Sequence, residues 1–94
     1  MKSIAMIVMP GCPYCAKARQ AVGELREENP VYFDVPVDEI DETSEVEKLK
    51  PYQGQYYYVP TLFVDGKKIY EAQPGHDYEV IKAAVAEAFA EAVK

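Results

Sequence analysis

From Ile4 to Val8 every residue is apolar, and Pro10-Gly11 closes the run, a pattern that suits a central parallel strand covered on both faces. Beyond it the period changes. From Pro13 to about Glu28 the residues Cys15, Ala18, Val22 and Leu25 recur at helical spacing, while Lys17, Arg19, Glu24 and Glu27 lie elsewhere around the wheel. Asn29-Pro30 stops this helix. Val31-Tyr32-Phe33-Asp34-Val35 is β-branched and aromatic and predicts a second strand, ended by Pro36. An acidic loop is expected over Asp38 to Glu42, followed by a short helix capped by Thr43 or Ser44, carrying Val46 and Leu49 and ending at Lys50 before Pro51.

The stretch from Tyr52 to Tyr58 has no clear period and reads as loop. Thr61 to Val64, then Asp65-Gly66, then Lys67 to Glu71 read as a hairpin, because Asp-Gly supplies the positive φ angles of a tight turn. After Pro74-Gly75 a last helix is expected from about Asp77 to Val93, with Ile81, Val85, Ala88 and Ala92 along its apolar stripe. The order βαβαββα calls for an α/β fold. A helix joins the first two strands, which should therefore be parallel, and the hairpin adds antiparallel partners, giving a four-stranded mixed sheet flanked by three helices.

Composition narrows the partners. At 94 residues, 49% hydrophobic and 28% charged, with 5 Gly and 7 Pro, the chain has the make-up of one ordinary globular domain spanning residues 1–94. A net charge of −6 opposes both nucleic acid and an anionic membrane surface. The apolar run at the amino end is too short for a signal-peptide core or a membrane span, so a cytoplasmic location is the expectation; a monomer is expected as well. The acidic stretch from Asp38 to Glu47 reads most simply as a solvated face.

The only two cysteines, Cys12 and Cys15, are too close together to staple distant parts of a fold. They flank Pro13 and Tyr14 where the first strand meets the first helix. With Cys12 at the N-cap and Pro13 at the first helical position, the free N–H groups of Tyr14 and Cys15 can point at the Cys12 sulfur. Those donors and the helix dipole favour the thiolate. Cys15, a turn further in and on the apolar stripe, should be buried, so Cys12 is expected to be exposed and attacking and Cys15 resolving. Two thiolates at this spacing also supply half a zinc or iron–sulfur site, for which His76 is the one obvious nitrogen donor, and a metal-binding module is the alternative from another class.

Cys12-Pro13-Tyr14-Cys15 at a strand-to-helix junction, Val59-Pro60 before the third strand and Gly75-His76-Asp77 opening the last helix together resemble the glutaredoxin family of the thioredoxin-like fold, over essentially the whole chain. The resemblance implies a thiol–disulfide oxidoreductase with no bound cofactor and with glutathione as co-substrate. It further implies that Pro60 is cis and lies against the cysteines, that the backbone of Val59 pairs with the cysteine of glutathione, that Gly75, His76 and Asp77 take the γ-glutamyl carboxylate, and that Tyr14 flanks the sulfur.

The sequence departs from that pattern in two places. Met9-Pro10-Gly11 lacks the family's lysine before the first cysteine, and Pro74-Gly75 replaces its Gly-Gly pair. Lys48, Lys50 or Gln53 could take the glycine carboxylate instead, the alternative for the lysines being ordinary solvation. Because of the missing lysine, a redoxin reduced by a flavoprotein reductase and serving disulfide-containing proteins stays open beside the glutathione reading. Tyr52, Tyr56, Tyr57 and Tyr58 either form a platform for a peptide substrate or pack beneath their own loop. His76 could act as an acid near the leaving thiol, or cap a helix or face solvent.

Overall fold

A computed structural model describes all 94 residues. Four strands form one sheet in the order β2-β1-β3-β4, with β1 at Ile4–Val8, β2 at Val37–Asp41, β3 at Thr61–Val64 and β4 at Lys67–Glu71. The helices are α1 at Pro13–Glu28, the short α2 at Val46–Leu49 and α3 at Tyr78–Ala92. β1 runs parallel to β2 and antiparallel to β3, and β3 is antiparallel to β4. This is the expected mixed sheet of a thioredoxin-like fold.

The two central strands are buried throughout, and their side chains alternate between two cores. Ile4, Met6, Val8, Leu62 and Val64 face α1 and α3, packing with Ala18, Leu25, Ile81, Val85 and Phe89. Ala5, Ile7, Ile40 and Phe63 face the other way, under Leu49, Tyr52 and Tyr56. The tyrosine-rich segment therefore roofs the second face of the sheet.

The second strand lies later than the apolar pattern predicts. Residues Pro30–Asp34 form a 3-10 turn, and the pairing strand is the acidic stretch Val37–Asp41, read from sequence as loop. Burial explains the difference. A strand through Val31, Phe33 and Val35 would put all three on one face, yet Val31 and Phe33 are exposed while Tyr32 and Val35, a helical turn apart, point inward. Tyr32 stacks on Phe89 with ring centroids 4.6 Å apart, and Arg26 donates to the carbonyls of Tyr32 and Val35. β2 is an edge strand with only Ile40 fully buried, so its acidic positions face water and blunt the open edge.

α2 starts one residue later than expected, with Glu45 rather than Thr43 or Ser44 at its N-cap. The Thr43 backbone N–H and hydroxyl both donate to Asp41 instead, closing an Asx turn. After Leu49 the chain tightens into a 3-10 turn over Lys50–Tyr52, across Pro51. The hairpin turn is as predicted, with φ of 52° at Asp65 and 83° at Gly66. No helix is long and apolar enough to cross a membrane.

Candidate active site

Strand β1 ends beneath the start of α1, and the two cysteines occupy that junction. Cys12 is the N-cap residue in extended conformation, and Pro13 is the first helical residue, where a missing N–H costs no hydrogen bond. The Cys15 backbone N–H donates to Cys12 Sγ at 3.1 Å, one of the two donors expected there; Tyr14 N–H is not the second. Both cysteines are free thiols.

Cys12 is only 8% exposed and Cys15 is 0% exposed, so the order of accessibility is the expected one, but Cys12 is not an open surface thiol. Tyr14 and Val59 pack against the core cluster that includes both cysteines. Burial pushes the Cys15 thiol up to about 12, helped by its hydrogen bond to Cys12, so that in the reduced protein Cys15 holds its proton.

Opposite the cysteines the Val59-Pro60 peptide bond is cis, as the resemblance implies, and the Val59 carbonyl oxygen lies 3.9 Å from Cys12 Sγ. Pro60 is buried and Val59 half-buried. On the far side, Tyr14 Oη accepts a hydrogen bond from Gly75 N–H at 3.1 Å, joining the motif to the turn before α3. Cys12, Cys15, Tyr14, Val59, Pro60 and Gly75 thus form one connected site.

His76 and Asp77 adjoin that site, but their side chains are used otherwise. His76 Nδ1 meets the Tyr70 hydroxyl at 2.7 Å and accepts from Gln73 N–H, tying the loop to β4 rather than reaching a cysteine or capping the helix. Asp77 is the α3 N-cap, its Oδ1 accepting from Val80 N–H at 3.0 Å. Gly75 and His76 N–H are committed within the chain, whereas those of Asp77, Tyr78 and Glu79 are not, so an anion could be received one residue later than the motif suggests.

Lys48 lies 3.2 Å from Glu45 and 3.9 Å from Asp38, and Lys50 is 3.0 Å from Glu47, so both candidate cations sit among carboxylates. Gln53 is exposed. No group of three or more His, Cys, Asp and Glu side chains is placed to hold a metal ion.

The tyrosines divide between the two expectations. Tyr52 packs tilted against Phe63, ring centroids 4.5 Å apart, and Tyr56 is half-buried with its hydroxyl donating to Glu42 at 2.7 Å. Tyr57 and Tyr58 are exposed, packed edge to face at 4.9 Å immediately before Val59. Two residues that shape the site were missed from sequence. Glu71 accepts from Tyr57 N–H and Tyr58 N–H, and Tyr70 holds His76. Each lies in a hairpin strand whose pattern signals pairing only, and their partners come from loops distant in sequence.

A search for relatives among curated proteins found no match. The family model of the glutaredoxins matches residues 3–69, a span that holds Cys12, Tyr14, Cys15, Val59 and Pro60 and stops short of Gly75, His76 and Asp77. With most of the chain matched, and with a cis proline set against a CxxC at a strand-to-helix junction, the chain belongs to the glutaredoxin family of thiol–disulfide oxidoreductases.

Proposed function

We propose that the chain reduces glutathione mixed disulfides and protein disulfides, with Cys12 as nucleophile and Cys15 as resolving thiol. The Cys12 thiolate attacks one sulfur of the substrate, forming a Cys12–substrate disulfide and expelling the other half as thiolate, which takes up a proton. Cys15 then loses its proton and attacks Cys12 Sγ. The Cys12–Cys15 disulfide forms, the second substrate thiolate leaves, and the substrate has gained two electrons. Alternatively a second glutathione resolves the mixed disulfide. Two molecules of glutathione return the protein to its dithiol form and leave as glutathione disulfide.

The observation that carries this reading is the Cys15 N–H donated to Cys12 Sγ at 3.1 Å across a helix start, with Cys15 itself buried and proton-bound. It also supports the order of events. The hydrogen bond and charge of Cys12 help keep the proton on Cys15, and both effects vanish once Cys12 is in a mixed disulfide, so Cys15 becomes easier to deprotonate when it is needed. Val59, with its carbonyl 3.9 Å from Cys12 Sγ, is the backbone against which an extended substrate pairs. Its carboxylate is received at the start of α3 by the backbone N–H groups left uncommitted there, those of Asp77, Tyr78 and Glu79, one residue on from Gly75 and His76.

A second reading keeps this chemistry and takes electrons from a flavoprotein reductase. The carboxylates around Lys48 and Lys50, and the Tyr14 hydroxyl already on Gly75 N–H, favour it. The deciding experiment is a glutathione-coupled disulfide assay on wild type and on Cys12→Ser and Cys15→Ser. Cys12→Ser should abolish turnover, and Cys15→Ser should keep much of the deglutathionylation. Loss of activity in both variants would argue against glutathione as the working thiol. A wild type silent with glutathione but active with the flavoprotein reductase would select the second reading.

A further inference from the structure

The segment that delivers Val59 to the cysteines has little backbone support of its own. Among the N–H groups of residues 56 to 59, only those of Tyr57 and Tyr58 have partners in the chain, and both donate to a single atom, Glu71 Oε2, at 2.8 Å each. Glu71 ends β4 and pairs with Thr61 across the sheet. Its side chain is 14% exposed, and its other oxygen accepts from Lys68 Nζ at 2.8 Å, so the carboxylate is fully engaged in an environment where an unpartnered charge would be costly.

The neighbouring bonds fix the other side of the cis peptide. Ala72 N–H donates to the Pro60 carbonyl at 3.0 Å, and the Thr61 hydroxyl donates to the Tyr58 carbonyl. The end of β4 therefore grips the chain before and after Val59-Pro60, and Val59 N–H is left without a partner in the chain.

We infer that Glu71 is a positioning residue for substrate: by holding the Tyr57 and Tyr58 amides it sets the height and direction of the Val59 main chain, the edge on which an extended disulfide-bearing peptide pairs. Glu71 touches neither cysteine and acts only through that edge. The inference rests on the proposed pairing of substrate with Val59, and it predicts that Glu71 matters for substrates with a peptide backbone and not for those without one.

The test follows single turnovers of the pre-reduced dithiol protein with no glutathione present, since glutathione would exchange onto a small disulfide and give it a backbone; KM and kcat are read as the half-saturating concentration and the limiting rate. It compares a cysteine peptide in mixed disulfide with thionitrobenzoate, which pairs along Val59, and hydroxyethyl disulfide, which has no backbone to pair. In Glu71→Ala, KM for the peptide disulfide should rise about fivefold or more with kcat within about twofold, the pattern of lost binding rather than lost chemistry. Turnover of hydroxyethyl disulfide and alkylation of Cys12 by iodoacetamide should match wild type. Glu71→Gln keeps an oxygen for the two amides and should restore the peptide KM. An unchanged peptide KM in Glu71→Ala would overturn the inference. So would an equal loss with both disulfides and with iodoacetamide, which would mark a general collapse of the site. A wild type with no preference for the peptide disulfide would instead show that Val59 pairing itself is wrong, and the role of Glu71 falls with it.

Discussion

Tyr14 lies between the two cysteines in sequence and reaches out of the motif in space. Its hydroxyl accepts from Gly75 N–H, and Lys17 Nζ sits 5.5 Å over its ring. The hydroxyl thus occupies a backbone donor that the start of α3 could otherwise offer to an anionic substrate. Replacing it should separate stability from binding. Because Gly75 is exposed, water can take over its N–H, and Tyr14→Phe should cost at most about 1 kcal/mol in chemical denaturation. The freed donor should lower KM for a glutathione mixed disulfide while leaving iodoacetamide alkylation of Cys12 unchanged; a raised KM would show that the hydroxyl itself contacts substrate. The same scale shows what a sequence can disclose about a site. Cys12 and Cys15 were legible because their relation is local to one helical turn, whereas Tyr14 came from the resemblance alone and its bond to Gly75, 61 positions away, had no local signal. Glu71 was not, since its partners are main-chain groups 13 and 14 positions away, and nothing about an acidic residue at a strand end marks it as their acceptor.

The two long helices and the hairpin followed from short-range rules: Pro13 at a helix start, apolar residues at helical spacing from Ile81 to Ala92, and Asp65-Gly66 at a turn with positive φ. β2 did not, because an edge strand's identity is decided by its register against β1, Ile4 to Val37 through Val8 to Asp41, and not by its own hydrophobicity. Of the apolar residues before it, Tyr32 and Val35 pack inward against the core shared with α1 and α3 instead. Those two helices are also joined through Glu24, which accepts from the Tyr78 hydroxyl at 2.6 Å, from Gln20, and from Lys82 at 3.0 Å. The Tyr78 hydrogen bond first, with Gln20 and Lys82 adding to it, holds the Glu24 carboxyl at about 2 against an ordinary value of 4.5. A carboxyl whose folded value is depressed stabilises the fold above its unfolded value and loses that contribution as pH falls toward the folded one. Glu24→Gln should therefore flatten the acid limb of the Tm profile between pH 4.5 and about 2, with little change in slope above it. Parallel acid limbs in the two proteins would remove Glu24 from the account.

At the scale of the molecule, the net charge of −6 acts on every approaching substrate, whatever the local geometry at Cys12. The sequence disclosed this charge but not its arrangement. Its acidic stretch from Asp38 to Asp41 is a sheet edge, and Lys48 and Lys50 are set among carboxylates rather than standing as free cations. Glutathione is net anionic near neutral pH, so encounter with its mixed disulfides should be opposed at long range, and salt should relieve the opposition. The Debye length shrinks from about 30 Å at 0.01 M to about 8 Å at 0.15 M salt, a change that spans the dimensions of this chain. Across that range, with pre-reduced protein and no free glutathione to exchange onto the control, kcat/KM for a glutathione mixed disulfide should rise by about two- to fivefold, while the value for neutral hydroxyethyl disulfide stays level. A fall with salt for the anionic substrate would mean that local donors, the amides at the start of α3 or Lys17 beside Tyr14, outweigh the field of the whole molecule. Glutathione would then be the better-matched reductant despite the missing lysine. A rise would leave the chain better suited to protein disulfides, whose charge is not fixed by a tripeptide and whose backbone can use the Val59 edge that Glu71 holds in place.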